Sequence, residues 1–138
     1  MATLQRTIVN TTRAPQPIGA YAQAVRVQAS ELVYIAGQVA VDVNGNLVGK
    51  GDAQAQTCQV FENLGQILAS LGASFSNVIE FTTYVVGRES VQAFITARTA
   101  LFPKLFPHKD YPPNTLLIVN GLVREEFLVE IKAVVALP

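Results

Sequence analysis

Charge is what this sequence has least of. Ten Lys and Arg and ten Asp and Glu make up only 14% of its 138 residues, against roughly 25% in an average soluble domain. Half of the residues are hydrophobic. A domain of this size has a large surface for its volume, so a shortage of charge predicts that another subunit covers part of that surface. The other reading is a monomer whose surface is rich in Ser, Thr, Asn and Gln. Basic and acidic residues also cancel, which removes the field that would draw in a phosphate backbone or an anionic membrane. Nucleic-acid binding is disfavoured.

Cysteine and histidine are nearly absent. The single cysteine, Cys58, can form no internal disulfide, and it falls mid-helix beside an apolar stripe with no histidine close in sequence, which gives it a packing role. The single histidine, His108, sits in "FPHKDYPP" with no second His or Cys at ligand spacing, so a zinc site lacks its donors and no metal is expected. Long hydrophobic runs are missing too. No stretch approaches the length of a membrane-spanning helix, and "MATLQRTIVN" lacks the apolar segment of a secretory leader, so a soluble, cytoplasmic setting is expected. In that setting the Asn10 sequon is a pattern only. Nor is there a phosphate loop: in "GNLVGKGD" the glycine spacing is one residue short, and Gly51 stands where a Ser or Thr would bind magnesium. No dinucleotide fingerprint appears, so no cofactor is expected.

What is present reads as one domain over residues 1–138. Arg6 to Asn10 predicts a short strand. Pro15, Pro17 and Gly19 follow too closely for a helix, which makes a shaped loop. Ala24 to Gln28 and Leu32 to Gln38 predict two strands joined as a hairpin through "ASE", and Asn44-Gly45 a tight reversal. From Asp52 to Leu71 the apolar residues Val60, Phe61, Leu64, Ile67, Leu68 and Leu71 recur at helical spacing, with Asp52 as N-cap and Gly72 as stop. Val78 to Val86, rich in β-branched and aromatic residues, predicts a central strand. Ser90 is expected to cap a second helix that Pro103 ends after Phe102. Thr115 to Asn120 and Leu128 to Leu137 complete the order β, β, β, α, β, α, β, β. Its two strand-helix-strand crossovers predict parallel neighbours on one sheet with both helices on one face. The other face is then left for burial between subunits.

Polar groups collect at the strand ends: Tyr21 in the Pro/Gly loop, Gln38 after Gly37, Asn114 and Thr115 after Pro112-Pro113, and Glu130 inside "LVEIKAVVAL". Alternation along that last strand puts Val129, Ile131, Ala133 and Val135 toward the core, and Leu128, Glu130, Lys132 and Val134 on the uncovered face. A carboxylate there either pairs with Lys132 or solvent, or orients a water in a subunit cleft.

The segments "APQPIGAYAQAV", "VYIAGQVAVDVNGNLV", "DAQAQTCQVFENLGQILASLGASFSNVIEFTTYVV" and "FLVEIKAVVAL" together resemble the Rid/YjgF family, the reactive intermediate deaminases also labelled L-PSP endoribonucleases. The likeness covers nearly the whole chain in order. It implies a chorismate-mutase-like α+β fold, a mixed sheet with two helices on one face, assembled as a homotrimer with small-molecule ligand sites in the clefts between subunits. It also implies cofactor-free hydrolysis of reactive enamines and imines, such as 2-aminoacrylate, to a 2-oxo acid and ammonia. Glu130 matches the family glutamate that positions the attacking water. Tyr21 matches a loop tyrosine, and Gly37 with Gln38 a Gly-Gln pair, although Ala36 replaces the family serine and Ile95 stands where many active members have asparagine. The family arginine that clamps the substrate carboxylate precedes a Ser or Thr. Here Asn114 precedes Thr115. Losing that fork forfeits roughly 1.5 to 3 kcal/mol per charged hydrogen bond. The resemblance therefore implies either a hydrolase of C=N compounds with altered substrate recognition, Asn114 and Thr115 binding the substrate, or a non-catalytic trimer that binds or senses a small metabolite. Arg13, Arg88, Arg98 and Lys104 are the cations left to replace the clamp; Arg98 on the second helix is the best placed, although its ordinary reading is a solvated face.

Overall fold

The computed structural model describes residues 3–138. Met1 and Ala2, the first residues of the N-terminal stretch and of the 1–138 domain, lie outside the described residues. The chain runs β1 (Gln5–Val9), β2 (Ala24–Gln28), β3 (Glu31–Gln38), α1 (Ala53–Ser70), a single 3₁₀ turn (Phe75–Asn77), β4 (Val78–Val86), α2 (Glu89–Leu105), β5 (Asn114–Val119) and β6 (Val129–Leu137). The element order is the one expected, and the strand boundaries differ by a residue at most. Among the described residues no helix is long and apolar enough to cross a membrane.

Local chemistry fixes the ends of α1. The Asp52 carboxylate accepts from the Ala55 N–H, one of the donors that a helix start leaves unpaired. Gly72, at φ 67°, reverses the chain just beyond the last turn. The second helix departs from expectation at both ends. Ser90 is not its cap: Gly87, at φ 84°, makes the turn, and the buried Ser90 hydroxyl donates to the Val86 carbonyl, tying the helix start to the end of β4. Pro103 does not end it either. It sits within the last turn, and the helix closes at Leu105 with the Phe106 N–H bonded to the Phe102 carbonyl.

Four strands form the main sheet in the order β3-β6-β4-β5, and β1 pairs with β2 as a separate antiparallel ribbon. The expected hairpin between β2 and β3 is not made, because β2 pairs with β1 and β3 with β6. "ASE" lacks the Gly or Asn that a two-residue hairpin turn needs, and long-range pairing wins. Only one of the two crossovers yields parallel neighbours. β4 and β5 pair in parallel, whereas β6 inserts between β3 and β4 and runs antiparallel to both. This nine-residue strand, the last in the chain and mostly apolar, satisfies its backbone on both sides there.

Both helices pack on one face of this sheet. Between them lies a cluster of Phe61, Phe75, Phe81, Phe102, Phe106 and Tyr111, with ring centroids 4.9 to 6.5 Å apart, mostly tilted or edge-on. Val129, Ile131, Ala133 and Val135 of β6 are buried against it, as their alternation predicts. Cys58, by contrast, is exposed and takes no part in the core. His108 lies on an exposed surface turn.

Candidate functional site

The sheet face opposite the helices is open. Register places Tyr84 beside Glu130 and Thr82 beside Lys132, with Thr115 next to Thr82 and Leu117 next to Tyr84. Tyr34 lies beside Val134 at the other edge. Glu130 and Thr115 thus share this face, separated by two strands and two residues, or about 12 Å at ordinary strand spacings.

Glu130 is shaped by Gly37. The β3–β6 register slips between Ile35 and Gln38, and at that irregularity Gly37 turns its Cα toward the carboxylate. A Cβ built on Gly37 would overlap Glu130 Oε2 and lie 2.8 Å from its Cδ, closer than real Cβ contacts come. The absence of a side chain at position 37 is therefore what lets the Glu130 carboxylate lie over the β3 backbone. Among the described residues that carboxylate makes no ion pair, not even with Lys132; the ion pairs formed are Arg6–Asp110 and Arg124–Glu126.

The remaining predicted residues fall elsewhere. Gln38 turns to the helix side, where its Nε2 donates to the Ala36 carbonyl and its side chain borders a groove along α1 with Gln59 and Asn63. Asn114 pairs in register with Phe81 and therefore faces the helix side as well, where its Oδ1 accepts from the buried Thr83 hydroxyl at 2.8 Å. Asn114 and Glu130 lie on opposite faces, three residues and two strands apart, or roughly 14 Å. One copy of the chain does not bring them together.

Tyr21 belongs with the segment before β5. Its loop is held by Gln23, which bonds the Thr11 backbone and the Pro15 carbonyl. The Ala22 N–H then reaches the Pro112 carbonyl at 3.3 Å. The Tyr21 hydroxyl accepts from the Ile18 N–H at 3.2 Å, leaving its own proton to donate. Tyr21 and Tyr111 line a small cleft of about 140 Å³ that Asn10, Gln16 and Lys109 complete.

Of the four candidate cations, Arg13, Arg88 and Lys104 are exposed. Arg98 is not the solvated residue expected: it is 7% exposed, with its guanidinium carbon 5.2 Å from the Phe94 ring centroid. Burial lowers its pKa, and the phenols of Tyr21 and Tyr111 oppose that shift. In the sequence Gly19 has only a part in shaping its loop and Tyr111 no role, yet both border this guanidinium or its tyrosine neighbours. The only available signal was their nearness to Tyr21 and to Pro112 in two loops 90 residues apart, which sequence alone does not join.

Comparison with known proteins bears on the fold. A family model described as Endoribonuclease L-PSP matches residues 11–137. A crystal structure of YyfB from Yersinia pestis, a Rid-family protein of unknown function, superimposes with a TM-score of 0.84 at 32% identity, covering 96% of this chain and 98% of that one. The 2-iminobutanoate/2-iminopropanoate deaminase of Mus musculus is 38% identical over 82 residues, 59% of this chain and 59% of the mouse protein. A RutC family protein of Pyrococcus abyssi is 37% identical over 82 residues, 59% of this chain and 63% of that protein. These matches, together with two helices on a mixed sheet, assign the fold and its lineage: the chain belongs to the Rid/YjgF family.

Proposed function

We propose that the protein is a cofactor-free hydrolase of enamine, imine or related C=N metabolites, working in the clefts of a homotrimer. The observation that carries this reading is the Glu130 carboxylate, unpaired and seated over Gly37 on the open sheet face. An acceptor held there can take a proton from a water as its oxygen attacks the carbon of a protonated C=N bond. The tetrahedral intermediate then expels ammonia and leaves C=O, with the proton returned to the departing nitrogen. Thr115, on the same face, and the backbone at Gly37 bind the substrate. Tyr21 and Asn114 lie too far around the protomer to serve that carboxylate, so the cleft is completed by a neighbouring copy. The deaminase name of the mouse relative supports this reaction class.

One observation favours a second reading. Asn114 occupies the clamp position and has its carbonyl oxygen engaged by Thr83, which suits a binding protein that has given up turnover. Replacing Glu130 by Gln keeps the shape and removes the base. The expected outcome is a fall in ammonia release from small imines of about a hundredfold or more, with binding retained. Undiminished turnover in Glu130→Gln refutes the assigned role, and silence of the native protein toward every C=N substrate leaves the metabolite-binding trimer.

A further inference from the structure

Five polar or charged residues are buried among those described: Gln56, Thr57, Thr83, Ser90 and Arg98. Four of them are hydrogen-bonded. Gln56 uses both ends of its amide, Thr57 donates to Ala53, Thr83 to Asn114 and Ser90 to Val86. Arg98 is the exception, and no hydrogen bond or ion pair among the described residues includes its guanidinium. The chain shows elsewhere how it satisfies a buried guanidinium: Arg6, whose side chain is 6% exposed, donates to the Val78 carbonyl, the Asp110 carboxylate and the Asp110 carbonyl. A buried cation without such partners is costly, and the Phe94 ring offsets only part of that cost.

Among the described residues no side-chain nitrogen or oxygen is both sealed from solvent and unpartnered, so the free Arg98 nitrogens keep solvent contact. Gly19 packs against the guanidinium with no side chain between: Arg98 Nη2 lies 2.9 Å from where a Gly19 Cβ would stand, and Tyr21 Cε1 lies 3.6 Å from the same point. The Tyr21 and Tyr111 phenols are the titratable groups that act on the guanidinium, and no carboxylate does. A cation, a phenol with a proton to donate and an exposed glycine backbone form a receptor for a small anion.

We propose that Arg98 is the carboxylate receptor of this chain, delivering from α2, beside Tyr21 and Tyr111, the guanidinium that position 114 does not supply. The ligand class is a small carboxylate, which the free guanidinium nitrogens and the Tyr21 hydroxyl can bind as donors. This deepens the reading of the protein as a C=N hydrolase by giving its substrate a negative charge, and the binding step stands without turnover.

The test uses pyruvate as probe, with methyl pyruvate as its uncharged control, on the purified full chain. Thermal unfolding and calorimetric titration are followed at constant ionic strength in the native protein, Arg98→Met, Arg98→Lys and Gly19→Ser. Pyruvate is expected to raise the native Tm, methyl pyruvate not to, and Arg98→Met to weaken pyruvate binding at least tenfold. Its ligand-free Tm stays level or rises, because an unpaired buried cation is gone; a merely structural arginine would lower that Tm and leave the pyruvate shift alone. Arg98→Lys keeps part of the affinity, having the charge without the fork. Gly19→Ser covers the guanidinium from an exposed loop and abolishes binding with Arg98 intact, which keeps the test decisive even where the Met variant does not fold. Equal binding of the ester and the acid overturns the proposal, as does unchanged pyruvate binding in Gly19→Ser and Arg98→Met, or no binding by the native protein. If pyruvate binds through Arg98 and no imine is hydrolysed, the catalytic reading falls alone. If imines are hydrolysed but Arg98→Met leaves kcat/KM for 2-aminoacrylate unchanged, this inference falls alone.

Discussion

At Gly37 the space for a single methyl group decides where a carboxylate points. The contact is with the far end of a flexible side chain, Glu130 Cδ at 2.8 Å and Cγ at 3.0 Å from the built Cβ, so the chain can yield without unfolding. Gly37→Ala is expected to change folding stability by no more than about 1 kcal/mol in a urea titration. It re-aims Glu130, and hydrolysis falls about a hundredfold, the scale of an ångström's misplacement in a reacting pair. An alanine variant with full turnover would show that the seat over Gly37 is incidental. Glu130 was legible in the sequence because strand alternation is strict, and Val129 and Ile131 on either side had to face the core. Arg98 was not legible. A charge on a helix reads as solvated by default, and its burial depends on Gly19, Tyr21 and Tyr111, which lie 13 to 79 positions away in the chain.

Elements place these residues through polar ties that cross the sequence. Gln56 is the clearest case: from inside α1 its Nε2 donates to the Gly49 and Glu126 carbonyls, and its Oε1 accepts from the Leu128 N–H at 2.8 Å. It therefore fixes where β6 begins, and with it the register that sets Glu130 beside Tyr84. Gln56→Met keeps the volume and removes every one of those bonds. Burying unpaired backbone groups costs about 1 to 3 kcal/mol each, so with partial relaxation the loss is about 2 to 4 kcal/mol. It is read as a lower urea midpoint at unchanged slope; a midpoint within error of native would mean that water replaces the amide. The helices and strands themselves followed from period and caps, as Asp52 and Gly72 show. Pairing did not, because β6 takes the place between β3 and β4 while β2 pairs with β1. That is a competition between distant edges which no local pattern records.

The whole molecule has one face that its own chain leaves uncovered. Tyr34 is 75% exposed, Leu32 51% and Leu117 41%, all on the sheet surface opposite the helices. Apolar groups so exposed on a chain so poor in charge are what a subunit interface leaves behind when one copy is viewed alone. Glu130 and Thr115 share that face, while Tyr21 and Arg98 lie around the protomer, so the proposed cleft needs an assembly that buries the sheet to join its two halves. The native mass is accordingly expected to be three times the 14.9 kDa of the chain, measured by light scattering after gel filtration. Tyr34→Glu places a charge in the middle of the covered face, where desolvation without a partner costs several kcal/mol. That variant should dissociate to monomers that keep their helical signature and lose hydrolysis along with assembly. A native protein that runs as a monomer at micromolar concentration defeats the shared cleft outright. A Tyr34→Glu protein that stays trimeric moves the interface to another surface, and Glu130 would then need a different partner to complete its site.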